Sequence, residues 1–566
     1  MTQPIGPQTV ASLTVLSQKY CQRGETYRDV CNRVAGVLAD GPSHYHSFRD
    51  ILLDGRFIPG GRILASMGTT KRTTPYNCFV SGTIDDAIDT KGGILARHRE
   101  ACLTLRMGGG IGYDFSTLRP GGDLVRSLDS RASGPVSYIK MYDSMGATIS
   151  SSGERRGAQM GILRVDHPDI EEFIYVKQNK NTLSCFNLSI AITDGFMQAV
   201  ARDDTFDLGF EGRTYRTIRA KDLWETIMRS TWDWAEPGVI FIDRINDWNN
   251  LRYCERIAAT NPCSEQPLPP FGACLLGSFN LVKYLKPLPR PSKLEGRYWF
   301  DHAAMAADVP VVVRAMDNVV DQAIYPLPEQ QQAAFMTRRM GLGVMGAANA
   351  IEATGPLYGD SEFVSKLEAV LGLLKNSAYQ ASAELAAEKG PFPLYTEEYL
   401  SRPFIKGLSP SVLSTIAKNG VRNSHLTSIA PTGTTAFAMD NVSSGIEPVF
   451  SFETDRNVRL AEGIQSFKVQ DYGYANLAIQ GRTAAEVTAK QHVDVLVAAQ
   501  RHVDSAISKT CNVPSGMPWH EFKGIYARAY QEGAKGCTTF QDGGMREGVM
   551  SASTPLADCA NGVCSV

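Results

Sequence analysis

Apolar positions change period several times along the chain, and each change predicts a different element. Phe186, Leu188, Ile190 and Ile192 alternate with their neighbours, as a half-buried strand does. The run 238–243, Gly-Val-Ile-Phe-Ile-Asp, reads as a buried strand. Phe363, Leu367, Val370, Leu371, Leu374 and Ala378 recur at helical spacing, and Gly390-Pro391 should stop that helix. Residues 1–70 read as mainly helical and close in the turn Pro59-Gly60-Gly61. From Tyr76 to about Arg546, short apolar runs alternate with amphipathic stretches, which predicts an α/β architecture. Pro287, Pro289 and Pro291 mark 285–295 as a surface insertion. After Met550 the chain turns small and polar, and such a segment cannot bury enough apolar surface to offset its ordering entropy. Three regions result: 1–70, mainly helical; 71–545, the α/β body; and 546–566, a tail expected to be flexible.

Composition narrows the class. With 566 residues, 43% hydrophobic and 20% charged, the chain has the make-up of a soluble globular protein. Fifty-seven basic against 59 acidic residues leave a net charge of −2, which excludes a generally basic nucleic-acid coat. No run of about 18 apolar residues occurs, so no membrane span is expected. The first twenty residues lack the basic start and apolar core of a secretory signal, so a cytoplasmic, reducing location is expected. Twelve cysteines are too sparse for a disulfide scaffold, and most should be small buried apolar residues. The exceptions must show themselves by their neighbours.

Five segments carry chemistry. Asn261-Pro262-Cys263-Ser264-Glu265 starts with a turn-forming Asn-Pro pair that would present Cys263 at a loop tip, with an amide and a carboxylate beside it. That set can bind a polyol, react through sulfur and move a proton, or it can be a buried cysteine beside a surface glutamate. Cys559 and Cys564 form a CxxxxC pair in the tail: an incidental pair, a weak zinc half-site with no second half nearby, or a mobile dithiol that exchanges disulfides. Ala430-Pro431-Thr432-Gly433-Thr434-Thr435-Ala436 follows an apolar stretch and precedes a predicted helix. It reads as a phosphate cradle of amides and three hydroxyls, or as a plain polar turn. Gly108, Gly109, Gly110 and Gly112 imply close backbone approach or a flexible turn. Arg155 and Arg156, between glycines, suit a loop that touches phosphate or base, or a solvated surface loop.

Together and in this order, the NPCSE segment, the ACLLGSFNL run at 273–281, the PTGTT loop followed by Gly445-Ile446-Glu447-Pro448, and the CxxxxC tail resemble the catalytic subunit of ribonucleotide reductase over roughly residues 60–566. The resemblance implies a ten-stranded α/β barrel made of two five-stranded parallel halves, with a central finger loop and a short helical region ahead of it. It implies that Cys263 becomes a thiyl radical and abstracts the 3′ hydrogen of the ribose. Glu265 would take the 3′-hydroxyl proton, and Asn261 would hold the same region by hydrogen bonds. Cys78 and Cys274 match the reducing pair that ends as a disulfide. Cys559 and Cys564 would re-reduce it and pass the oxidation to a thioredoxin-like partner. Thr432, Gly433, Thr434 and Thr435 would hold substrate phosphates, with Gly109 and Gly110 in a substrate loop. No metal ligands are expected among the side chains.

The mode of radical generation is also written in the sequence. The glycyl-radical class needs a C-terminal Arg-Val-x-Gly-Tyr type motif, which is absent. The class with a separate metal radical subunit needs two adjacent tyrosines, where this chain has Lys535-Gly536-Cys537-Thr538-Thr539-Phe540. That run, and Gly157 to Ile170, resemble the adenosylcobalamin-dependent class, although no Asp-x-His-x-x-Gly cobalt-ligand motif occurs. The rivals are a class I-type subunit that needs a metal partner and a nucleotide-binding regulator without catalysis. By position, Asp85, Arg119, Arg155 and Arg156 match the site of a nucleoside triphosphate effector that selects the substrate. The stretch ahead of Tyr76 is too short for an activity-regulating cone domain, so no overall dATP shut-off is expected. A homodimer is expected.

Overall fold

The computed structural model describes residues 6–151, 155–178, 182–292, 296–460, 463–541 and 550–552. Four helices lead in: Val10–Lys19, Tyr27–Leu38, Pro42–Leu53 and Gly61–Ser66. The second is fixed at its start by a reciprocal cap, in which Thr26 and Asp29 satisfy each other's backbone amides.

One ten-stranded sheet organises the body. Its strands are β1 (Phe57–Pro59), β2 (Cys78–Val80), β3 (Gly110–Asp114), β4 (Gln159–Arg164), β5 (Phe186–Ile192), β6 (Gly238–Phe241), β7 (Ala273–Asn280), β8 (Met340–Met345), β9 (Thr510–Val513) and β10 (Gly536–Gln541). The alternating run at 186–192 and the apolar run at 238–241 are thus both strands, as their patterns require. β2 to β6 pair in parallel, in sequence order. β7 pairs in parallel with β8, and β9 with β10. The two sets meet antiparallel, β7 against β2 and β6 against β10. Between β8 and β9 the chain continues the pairing through single parallel bridges, Leu342 to Thr427 and Ile429 to Ile507.

Side chains of the strands sort into two apolar groups by the two-residue period of a strand. Phe79, Tyr113, Leu163, Ile190, Val239 and Leu275 join the large core under the helices. Cys78, Val80, Met160, Ile162, Ala191, Ile240, Cys274 and Leu276 form a separate group on the other face. Ile257, Ala259 and Leu268, from the loop between β6 and β7, complete that second group. The loop therefore packs against the sheet face opposite the helices.

The predicted helix at 363–378 lies within Ser361–Lys389, which packs against His302–Gln322 and stops at Gly390 with φ +79°. The proline-rich insertion is a hairpin, Leu285–Ser292 against Gly296–Phe300. The short strand Met550–Ala552 pairs with Glu453–Leu460.

Candidate active site

The loop between β6 and β7 has a two-stranded stem, Ala259–Thr260 against Pro267–Leu268. Its tip is a tight turn. The Asn261 amide donates to the Gln266 carbonyl at 3.1 Å, and the Ser264 amide donates to the Asn261 carbonyl at 3.0 Å. The Gln266 amide donates to Asn261 Oδ1 at 2.9 Å. Ser264 closes the turn with φ +65°, a conformation a non-glycine residue holds only where its surroundings enforce it.

Strand β3 explains the glycine cluster. A Cβ on Gly112 would lie 1.7 Å from the Thr260 carbonyl oxygen, and one on Gly110 would lie 3.1 Å from the Pro262 ring. These glycines let the loop lie directly on the sheet. Gly109 faces the Phe79 ring instead, at 2.6 Å from its own Cβ position. From β5, two strands over, Asn187 Nδ2 donates to the Pro262 carbonyl at 2.8 Å. Cys263 is thus presented, exposed, at a tip pinned from both sides.

Two groups of residues meet at this tip. One lines a cavity of about 240 Å³ that Cys263 shares with Asn187, Gly238, Ala506, Lys535, Gly536 and Thr538. The other holds Cys78 and Cys274. Cys78 and Cys274 are register partners across the antiparallel β2–β7 seam, both buried and both free thiols. Asn261 Nδ2 donates to Cys78 Sγ at 3.1 Å, and Cys78 Sγ donates to Glu265 Oε1 at 3.7 Å. Glu265, Asn261, Cys78 and Cys274 form one contact set at the base of the loop that carries Cys263. Burial pushes the Cys78 thiol well up, with the Glu265 carboxylate adding to it, and burial does the same to Cys274. Glu265 is raised by desolvation too. Its Oε2 has no hydrogen-bond partner among the described residues, nor have both amide atoms of Gln266. Orphaned buried acceptors and donors at one place are what a polar ligand would satisfy.

The Thr432–Thr435 loop lies on the continuation of this surface. Ser428 Oγ donates to the Glu265 carbonyl at 3.0 Å, so the segment that leads into the loop touches the finger directly. Two of the three threonine hydroxyls make hydrogen bonds, one as acceptor and one as donor. Thr432 Oγ1 accepts from the Gly445 amide at 2.8 Å, and Thr435 Oγ1 donates to the Thr432 carbonyl at 3.0 Å. Thr434 stays exposed. Thr432 keeps its hydroxyl proton and Thr434 its whole hydroxyl, beside the first-turn amides of helix Gly433–Ala438, which have no partner within the helix. Glu447, from the GIEP segment, accepts from Lys509 Nζ at 2.7 Å and from the Thr510 amide at 2.6 Å, which ties the loop to β9.

Comparison with known proteins decides the family. The family model for the ribonucleotide reductase barrel domain matches residues 76–540. The chain belongs to the ribonucleotide reductase family. A relative named vitamin B12-dependent ribonucleoside-diphosphate reductase, from Mycobacterium tuberculosis H37Rv, is 33% identical over 97% of this chain and 80% of its own length. One of the same name from Thermoplasma acidophilum is 33% identical over 90% of this chain and 67% of its own. A vitamin B12-dependent ribonucleotide reductase from Streptomyces avermitilis is 27% identical over 95% and 63%.

Elsewhere in this reductase, Asp85 lines a second cavity of about 710 Å³ together with Asp86, Arg164, His167 and Phe210. Arg119 pairs with Asp86 at 2.6 Å rather than with Asp85. Arg155–Arg156 forms a two-residue strand against Ser150–Ser151. Cys559 and Cys564 lie outside the described residues. Sequence reasoning passed over Gln266 and Asn187. Gln266 directly follows the NPCSE motif and could have been read with it; Asn187, a polar residue in a strand that also holds Ser189, gave no signal.

Proposed function

We propose that the chain converts ribonucleotides to 2′-deoxyribonucleotides by thiyl-radical chemistry with adenosylcobalamin as radical source. One observation carries the reading: a cysteine dithiol in strand register, in contact with an amide and a carboxylate, at the base of a loop that presents a third cysteine. Adenosylcobalamin, when bound, supplies a homolytically labile metal–carbon bond. The cavity beside Cys263, at about 240 Å³, could take only the reacting end of such a group; Gly238, Ala506 and Gly536 leave room there beside Met160, Ile240 and Lys535, and none of Cys78, Cys274 or Glu265 lines it. The radical source and the reducing pair would therefore meet Cys263 among separate groups of residues. The names of the B12-dependent relatives support the same cofactor.

On the substrate side Cys263 abstracts the 3′ hydrogen. Glu265, with one oxygen unengaged, accepts the 3′-hydroxyl proton, and burial raises its pKa above the usual carboxylate range, which suits a group that takes and returns a proton. One of Cys78 and Cys274 protonates the leaving 2′-hydroxyl, which departs as water. The pair gives up two electrons and closes as a disulfide, and Cys263 recovers its hydrogen. Asn261 holds both Cys78 and the loop turn. Thr432 to Thr435 take the substrate phosphates, and Gly109 and Gly110 let the sheet come close to the finger.

The remaining assignments follow the same reading. The single bridges at Thr427 and Ile429 support closure of the sheet into a barrel of two five-stranded parallel halves around the finger. Cys559 and Cys564 relay reduction from a thioredoxin-like protein. Asp85, Arg119, Arg155 and Arg156 bind the specificity effector; of these, Asp85 lines the larger cavity. Exposed Ile88, Leu95, Leu124 and Leu128 support a homodimer through that side of the chain. The setting is the cytoplasm; among the described residues no helix is long and apolar enough to cross a membrane.

The test is reduction of CDP and CTP by the purified chain with dithiothreitol and an effector mixture, with and without adenosylcobalamin. Turnover only with the cofactor is expected. Turnover that needs a metal-loaded second protein instead would overturn the reading.

A further inference from the structure

The helix Gly433–Ala438 is bounded by left-handed residues that are not glycine. Thr432 precedes it at φ +52°, and Asp440 and Asn441 follow at φ +59° and +57°. Such backbone persists only where other contacts over-determine it. Asn441 is held by the hairpin 453–470: its Nδ2 donates to the Gln470 carbonyl at 3.0 Å, and its Oδ1 accepts from Arg456 Nη1 at 2.8 Å. The same arginine donates through Nη2 to the Gly433 carbonyl at 3.0 Å. Asp440 is held from the other end of the chain. Its carboxylate accepts from the Gln8 and Thr9 amides at 2.9 Å each, and its amide donates to Ser12 Oγ at 3.2 Å. Ser12, fully buried in helix Val10–Lys19, donates in turn to the Phe437 carbonyl at 2.7 Å. Phe437 O lies in the last turn of the short helix, where carbonyls lack partners of their own.

We infer that the N-terminal helix is a latch on the substrate-phosphate loop, with Ser12 and Asp440 as positioning residues. The inference rests on the reading that Thr432 to Thr435 hold substrate phosphate. The latch fixes the far end of a six-residue helix whose near end faces the ligand. A shift at Phe437 or Asp440 therefore moves the amides of Gly433 to Thr435 with it. The Ser12 hydroxyl and the Asp440 carboxylate and amide bond only each other, Gln8, Thr9 and Phe437 among the described residues, and not the Asn261–Glu265 turn, so their loss should act on the phosphate alone.

Calorimetric titration of the full-length chain with CDP and with cytidine tests this. Ser12→Ala should bind CDP about fivefold more weakly, the worth of about one net hydrogen bond, with cytidine binding unchanged. Asp440→Gly keeps the left-handed backbone without its carboxylate and should show the same selective loss. Asp440→Asn keeps an acceptor for the Gln8 and Thr9 amides and should bind CDP as the native chain does. Unchanged CDP binding in Ser12→Ala, or equal loss for both ligands, overturns the latch. Thr434→Val then tells which premise failed. If it weakens CDP binding, the loop holds phosphate without the latch; if it too leaves CDP binding unchanged, the phosphate reading falls as well.

Discussion

Two pairs of buried cysteines sit on neighbouring strands of this sheet, and only one has the surroundings of a redox centre. Cys78 and Cys274 face each other in register, in the smaller apolar group beneath the finger. Cys511 and Cys537, on β9 and β10, lie in the large core beside Tyr526 and Ala529, although Cys537 also lines the cavity beside Cys263. Cys537 hydrogen-bonds Cys511, which pulls Cys511 down and pushes Cys537 up, and Lys509 adds to the pull on Cys511. By thiolate character alone Cys511 would be the more reactive sulfur. It lacks what surrounds Cys78: an amide donor, a carboxylate with an unengaged oxygen, and a third cysteine close enough to act on it electrostatically. Burial and pairing are common properties of cysteine; orphaned polar atoms beside the pair mark the site.

Substitutions can break this comparison. Cys263→Ser should abolish turnover, by more than about 10³-fold, while CDP binding persists, as read by product formation and calorimetry. Cys274→Ala should stop repeated turnover supported by a dithiol reductant, whereas Cys511→Ala and Cys537→Ala should keep most of the native rate. If Cys511→Ala were as inactive as Cys274→Ala, the distinction would fail.

Glu265→Gln should lower the rate by about 10²–10⁴-fold and remove the acid limb of the pH–rate profile, because the native base works only above its raised pKa. Stability should move the other way. A carboxyl raised on folding favours the folded state in its protonated form, so its stabilisation is complete below the unfolded pKa. It is lost as pH climbs through the folded value. Urea titrations should therefore show Glu265→Gln gaining on the native chain as pH rises through that window. No gain would mean that Glu265 has a charged partner when folded.

Asn187→Ala should slow turnover about three- to tenfold through the lost bond to Pro262 and speed alkylation of Cys263 by iodoacetamide, since the tip loosens. The smallest expected effect is on the outer pair: Cys537→Ala should cost about 1 kcal/mol of stability by chemical denaturation.

Much of this architecture is legible in the sequence because its signals are local. The alternation at 186–192, the helix ending at Gly390 and the Asn-Pro turn before Cys263 each depend on a few adjacent residues. The glycines at 108–112 announce a close approach, and the finger supplies it. What is not legible depends on pairing across long separations. Nothing local says that Cys78 faces Cys274, 196 positions away, rather than another cysteine; only resemblance links them. That Thr435 spends its hydroxyl proton on the Thr432 carbonyl is equally hidden, because a turn rich in threonine can cap itself. Asp86, not Asp85, takes Arg119 because adjacent carboxylates on a bend compete for one guanidinium. The docking of helix Val10–Lys19 on residues 437–440 leaves no trace in either segment alone.

The most direct test of the central claim is thiol mapping after a single turnover. The chain, fully reduced and freed of external reductant, is given adenosylcobalamin and CDP, quenched in acid, alkylated in denaturant and digested for mass spectrometry. A Cys78–Cys274 disulfide formed in step with the deoxynucleotide, with Cys511 and Cys537 both alkylated, is the predicted result. Deoxynucleotide formed while Cys78 and Cys274 remain thiols, or with the disulfide at Cys511–Cys537, would contradict it.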